Sequence, residues 1–251
     1  MKINNNTVLI TGGATGIGLA LADIFIRGGN KVIICGRRHE KLLEAQSRFP
    51  EIHTKVCDVS DSCNRQTLFE WVIEKFPGLN ILVNIAGIRK QIDFTKRVEQ
   101  QPAGENEIAI NFSAPVELSA LFIPHLLKQE EAAIVNVSSG LGFVPLAMIP
   151  VYCATKAALH SFSWSLRHQL RQTSIKVFEV IPPTVDTELD RGAREKRRQE
   201  NRGISPIDVA EATLAGLAKD EFEITIGQSQ GLRTRTPQEA EELFQRMNGN
   251  W

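Results

Sequence analysis

The chain has 251 residues, with 29 basic and 29 acidic side chains, 42% apolar residues, 18 Gly and 11 Pro. That length supports a large core, and 23% charged residues at ordinary apolar content exclude disorder. Zero formal net charge removes the basic field on which most nucleic-acid binders depend.

The chain opens MKINNNTVLITGG, with no signal-like apolar leader, and no apolar stretch of about 18 residues occurs, so no membrane span is expected. Cys35, Cys57, Cys63 and Cys153 have neither CxxC pairing nor His-flanked metal spacing; they read as reduced thiols of a cytoplasmic protein. Short Val- and Ile-rich runs then recur at 7–11 (TVLIT), 31–35, 52–56, 80–84, 133–137, 175–181 and 223–226. Their near-continuous apolar character suits parallel strands covered on both faces. Between them, apolar residues recur at helical spacing: Leu19, Ala22, Phe25 and Ile26; Leu68, Trp71, Val72 and Phe76; Leu118, Leu121, Phe122 and Leu126; Leu159, Phe162, Leu166 and Leu170. This alternation predicts an α/β, doubly wound Rossmann-type fold: a seven-stranded, mostly parallel sheet with helices on both faces. No linker or repeat divides it, so residues 1–251 read as one domain. The mostly charged stretch 191–202 (RGAREKRRQENR) reads either as a solvated helix face or as a segment over a substrate cleft. Residues 237–247, with an acidic start and Leu243, Phe244 and Met247 on one face, predict a docked terminal helix.

Directly after the first strand comes Gly12-Gly13-Ala14-Thr15-Gly16-Ile17-Gly18, running into a helical pattern. A glycine-built strand-to-helix turn lets backbone approach a pyrophosphate, and the helix N-terminus offers unpaired N–H groups. The G-x3-G-x-G spacing differs from G-x-G-x-x-G, and a plain tight turn is the competing reading. After the second strand stand Cys35-Gly36-Arg37-Arg38, with no carboxylate until Glu40. An acid there would accept from the 2′-hydroxyl of NAD, whereas arginine accommodates the 2′-phosphate of NADP, so NADP(H) is favoured over NAD(H).

Tyr152, the only tyrosine, lies near the start of a helical pattern with Lys156 four residues on, so both share one face. A nearby ammonium favours phenolate and would bring the phenol toward a working pKa. Ser138 and Ser139 follow the fifth strand, at the carboxyl end where open α/β sheets place ligands; chemistry alone leaves either hydroxyl as candidate to orient a substrate oxygen. Asn111 falls inside the helix expected over 100–129, where Asn is a poor helix former and often bends the backbone. The five histidines lack metal-ligand spacing, and no G-x-S-x-G elbow surrounds the serines, so neither metal catalysis nor a serine hydrolase is expected.

The chain from about residue 5 to 230 resembles the short-chain dehydrogenases/reductases. The residues that carry this are TGGATGIG at 11–18, Asp58-Val59, Asn84-Ile85-Ala86-Gly87, Asn111, Ser138-Ser139, Tyr152-x3-Lys156 and 182–187. PVYCATKAALHSFS at 150–163 and Pro182-Pro183 resemble the bacterial DltE-type oxidoreductases in particular. The resemblance implies reversible hydride transfer between nicotinamide and a carbonyl or secondary alcohol. In it Tyr152 would be general acid/base, Ser139 would orient the oxygen, and Lys156 would tune the phenol and hold the nicotinamide ribose. Asn111 would anchor a proton-relay water. For the dinucleotide it implies Gly12, Thr15, Gly16, Ile17, Gly18, Arg37 and Arg38 at the phosphates, and Asp58 and Val59 at the adenine. Asn84, Ala86 and Gly87 would stand beside the ribose, and Pro182, Val185 and Thr187 at the nicotinamide. A substrate loop at about 186–205 and a homodimer or homotetramer built from helices near 105–129 and 151–172 follow as well. Two residues depart from the family pattern: Ile85 stands where a second Asn is usual and Pro183 where Gly is usual, removing one N–H. A dinucleotide-sensing regulator without turnover is the alternative, since fold does not dictate function.

Overall fold

A computed structural model of the chain describes residues 1–96, 106–189 and 203–249. All seven expected strands are present: β1 (Thr7–Thr11), β2 (Lys31–Gly36), β3 (His53–Val56), β4 (Leu79–Asn84), β5 (Ala132–Val137), β6 (Ile175–Ile181) and β7 (Glu223–Thr225). They form one sheet in the order β3-β2-β1-β4-β5-β6-β7, and every pairing is parallel. The chain winds outward in opposite directions from β1 and β4. A crevice at their carboxyl ends is therefore a topological switch point, where such sheets bind ligands.

Strand alternation divides the core into two layers. Val8 and Ile10 of β1 and Val32 and Ile34 of β2 face one side. There they meet Phe25 of α1 (Gly16–Arg27), Leu42 of α2 (His39–Arg48) and Leu217 of α6 (Pro206–Ala218). Leu9 and Ile33 face the other side, with Leu68 of α3 (Ser62–Lys75), Phe122 of α4 (Ala114–Leu126) and Leu166 of α5 (Pro150–Gln169). Two-sided burial is the reason these strands read as apolar runs instead of polar-apolar alternation. Short polar signals start the helices: Asp61 accepts from the Asn64 N–H at α3, and Ser205 and Asp208 form a capping box at α6.

The helix expected over 100–129 differs from that reading. Its described part opens in a π-helical turn (Ala109–Ser113) before α4, so Asn111 sits in a bulge where the backbone bends. Residues 100–105 of that expectation lie outside the described residues, as do Trp251 and the charged stretch 191–202. The chain ends in α7 (Gln228–Arg233) and α8 (Pro237–Asn248), the latter opened by a Thr236–Glu239 capping box as its acidic start predicted. None of the residues of α8 is buried, so the terminal helix covers the molecule without entering its core.

Phe122, fully buried and edge-on to Phe69 with ring centroids 5.1 Å apart, joins α4 to α3. Phe122→Ala is expected to destabilise the chain by about 3–5 kcal/mol, measured as a lower urea midpoint at unchanged slope.

Candidate functional site

At the carboxyl ends of β1, β2, β4, β5 and β6 lies a cleft of about 1000 Å³. Its phosphate end is the turn between β1 and α1. Gly12 has φ +67°, and a Cβ there would stand 2.9 Å from Ala86 Cα; one on Gly18 would stand 2.3 Å from the Gly12 carbonyl oxygen. The turn is therefore closed to side chains. Thr15 is the N-cap of α1 but makes no side-chain cap bond, and the first turn of α1 holds no acid. Its leading N–H groups face the cleft without a capping side chain, which fits a pyrophosphate. Gly12, Thr15, Gly16, Ile17 and Gly18 all line this end.

The next loops add charge. Arg38 donates to Glu188 Oε2 at 2.9 Å and to Thr15 Oγ1 at 3.2 Å, lying across the turn, while Arg37 Nη1 stands 4.0 Å from Asp58 Oδ2. Both arginines line the cleft, as do Asp58 and Val59. Buried Arg65 holds that second loop in place: it donates to the Val59 carbonyl at 2.6 Å and pairs with Glu117 of α4. Beyond β4, the Thr11 hydroxyl accepts from the Ile85 and Ala86 N–H groups at 3.1 and 3.2 Å. These bonds run to the backbone, so Ile85 in place of Asn leaves the turn intact. Ala86 and Gly87 line the cleft; so do Pro182, Val185 and Thr187 after β6. Val185 bridges Ile204, and Thr187 Cγ2 would stand 3.0 Å from a Cβ on Gly16, so the loop after β6 lies on the phosphate turn.

Two expected residues behave differently. Asn84 points between strands and helix instead of into the cleft, donating to Asn136 Oδ1 at 2.9 Å and Ser119 Oγ at 3.5 Å. It braces β4 against β5, and its own Oδ1 is buried without a hydrogen-bond partner. The Asn111 side chain is likewise spent inside the protein. It accepts from the Ile88 N–H at 2.9 Å, and donates to the Ile88 carbonyl at 2.9 Å and to Thr155 Oγ1 at 3.2 Å. It fastens the loop after β4 to α5.

The reacting end gathers Ser139, Tyr152 and Lys156, each less than a tenth exposed. The Ser139 hydroxyl stands close enough to the Tyr152 hydroxyl to favour its ionised form. Ser138 instead donates to the wholly buried Glu179, which also meets His160 Nδ1 at 2.7 Å. Geometry thus separates two serines that chemistry left equivalent. Lys156 Nζ donates to the Val137 carbonyl at 2.8 Å and lies 5.7 Å from the Tyr152 ring centroid. Burial pulls Lys156 down to about 8, while Glu179 opposes the fall. Burial also pushes the Tyr152 phenol above its ordinary value; Arg89 and the Ser139 hydroxyl counteract, and Cys153 and Glu107 add to the rise. The expected drop in the phenol's pKa through Lys156 is therefore not the balance found. Desolvation dominates, and the leading opposing cation is Arg89, whose guanidinium carbon lies 6.0 Å from the ring centroid.

Arg89 was missed in the sequence, although it stands two residues after Gly87 in the loop beyond a strand's carboxyl end, a position that could have marked it. Leu146, Leu232, Arg235, Leu243 and Met247 also line the cleft, the last two from the half-buried face of α8. Among the described residues one group of possible metal ligands occurs: His160, Glu179 and Glu223, with ligand atoms within 4.8 Å of one another. Chain donors already answer these carboxylates: Arg233 meets Glu223 at 3.0 Å, and Ser138 and His160 meet Glu179.

Comparison with known proteins agrees with this geometry. The chain is 55% identical to an oxidoreductase, DltE of Bacillus subtilis, over 99% of its own length and 98% of that protein. Among solved structures, a short-chain dehydrogenase/reductase from Burkholderia phymatum in complex with NAD has a TM-score of 0.82. It is 23% identical, with 97% of this chain and 96% of that one covered. A short-chain dehydrogenase from Sphingobium yanoikuyae in complex with NADPH has a TM-score of 0.78 at 26% identity, covering 88% of this chain and 87% of that one. The family model for short chain dehydrogenases matches residues 6–198. With a glycine turn shaped for a dinucleotide and a buried Ser-Tyr-Lys set at its far end, the chain belongs to the short-chain dehydrogenase family of oxidoreductases.

Proposed function

We propose that the protein is an NADP(H)-dependent oxidoreductase acting on a small carbonyl or secondary-alcohol substrate, with Tyr152 as general acid/base. The observation that carries this reading is the buried Ser139–Tyr152 hydroxyl pair facing the cleft beside Lys156. A protein that only sensed a dinucleotide would have no need of it. Bound, the nicotinamide supplies or accepts the hydride. Ser139 holds the substrate oxygen against the phenol, and Tyr152 gives that oxygen a proton in reduction or takes one in oxidation. Lys156, weakened to about 8, is suited to pass protons at the Tyr152 end and to donate to a ribose hydroxyl. Asn111 contributes by keeping α5 and the loop after β4 in register, through bonds to Thr155 and Ile88.

NADP(H) is favoured because β2 ends at Gly36 without a carboxylate, and Arg37 and Arg38 follow on the cleft wall. The Arg38–Glu188 pair is half exposed and so worth little, and a 2′-phosphate can displace it. We read residues 1–251 as one catalytic domain with its substrate loop at about 186–205, of which 190–202 lie outside the described residues. Among the described residues no helix is long and apolar enough to cross a membrane. Four free cysteines favour the cytoplasm, zero net charge disfavours nucleic acid, and Trp164, 59% exposed on α5, favours a homodimer or homotetramer.

Tyr152→Phe is expected to retain NADPH binding but to lose at least about a hundredfold in turnover; a Phe variant with wild-type turnover would remove the phenol from the reaction. At equal concentrations NADPH should raise the melting temperature more than NADH, reflecting affinity about tenfold or more tighter. Equal shifts, or a larger one with NADH, would contradict the role given to the two arginines.

A further inference from the structure

The cleft carries its charges unevenly. Among the described residues its two lining carboxylates, Asp58 and Glu188, both stand at the phosphate end beside Arg37 and Arg38. Among the described residues, the other half, beyond Ser139 and Tyr152, is lined by Arg89 and Arg235 among leucines and Met247 and by no carboxylate, with buried Glu107 near enough to Arg89 to feel its charge. Arg89 is held close to the chemistry. It comes from the loop after β4, which Glu107 pins by accepting the Lys90 N–H at 3.1 Å, and Asn111 pins at Ile88. Its guanidinium lies over the face of the ring whose hydroxyl meets the substrate oxygen, 6.0 Å from the centroid. A substrate positioned for proton transfer at Tyr152 therefore has its next few atoms within reach of a planar, permanently charged donor fork. Neutral carbonyl compounds make no use of such a group, whereas a carboxylate close to the reacting carbon pairs with it.

We propose that Arg89 is the substrate-recognition residue of this cleft, and that the substrates are 2- or 3-oxo acids and the matching hydroxy acids with a short apolar remainder. This rests on the oxidoreductase reading above. In the reduction the carbonyl carbon gains a hydride from the reduced dinucleotide and the oxygen gains the Tyr152 proton. The products are the hydroxy acid and the oxidised dinucleotide, and the carboxylate stays unchanged on Arg89. The leucines and Met247 bury the apolar remainder, and Arg235, exposed at the mouth, adds a positive field that draws anions inward.

The test compares kcat/KM for acetoacetate and 2-oxobutanoate with that for their methyl esters, in the wild type, Arg89→Met and Arg89→Lys. The acid-to-ester ratio cancels any influence of Arg89 on the phenol, because both substrates share it. The wild type should prefer the acids by about tenfold or more, Arg89→Met should bring the ratio near one, and Arg89→Lys should fall between. A wild type that takes esters as readily as acids, or an acid preference that survives Arg89→Met, overturns the proposal. A second arm needs no turnover: butanoate, which has no reducible carbonyl, should raise the melting temperature of the NADP⁺-loaded wild type and not of Arg89→Met. A retained shift with NADP⁺ itself checks that the variant is folded. Should no carbonyl compound be reduced, the oxidoreductase reading fails, and the butanoate arm still decides the anion site: protection of both proteins or of neither counts against it.

Discussion

Everything at the reacting end turns on the burial of one phenol. Tyr152 is 7% exposed, and removal from water favours its neutral form, so the hydroxyl remains a proton donor through neutral pH. Burial alone would make it a poor acid. What counters burial comes from two separate elements: Arg89 from the loop after β4 and Ser139 from the end of β5. Each arrives through a different strand's carboxyl end or the helix after it. The site therefore exists only when β4, β5 and α5 are in register, which Asn84–Asn136 and Asn111–Thr155 secure. On the proposed reaction the sign of the pH dependence follows: carbonyl reduction would use the protonated phenol and persist to alkaline pH, whereas alcohol oxidation would rise as the phenol ionises.

The same cleft solves two electrostatic problems with different means. At the phosphate end, uncapped N–H groups of α1 and two arginines face solvent, and Glu188 and Asp58 occupy the arginines. At the reacting end a buried carboxylate does related work. Glu179, held by Ser138 and His160, favours the charged form of Lys156 against desolvation. One anion set is exposed and exchangeable; the other is locked inside. On the proposed function, that difference would suit a phosphate which comes and goes beside a proton path that must stay in place.

The strands were legible because the central ones are covered on both faces: most show as runs of Val and Ile, and all seven have observed bounds within a residue of the expected ones. The turn at 11–18 was legible for the same local reason, since glycine, strand and helix are adjacent in sequence. Side-chain direction was not. Asn84 and Asn111 stand within motifs that border the cleft, yet both turn inward to partners 35 to 52 and 23 to 44 residues away. Arg89 reaches the cleft from just past the Asn84–Gly87 motif, and Leu243 and Met247 from the terminal helix, through contacts that no local pattern records. The choice of Ser139 over Ser138 came from the family resemblance; chemistry alone left them equivalent, and in the structure Glu179, 41 residues from Ser138, engages that serine.

Tyr152 is the chain's only tyrosine, so the ultraviolet absorbance of phenolate reports that hydroxyl alone. Titrated in the folded protein without dinucleotide, it should ionise with a midpoint above the free-phenol value of about 10, and return to that value when urea unfolds the chain. A folded-state midpoint at or below the free value would mean that neighbouring cations outweigh burial, contradicting the balance on which this account of the site rests.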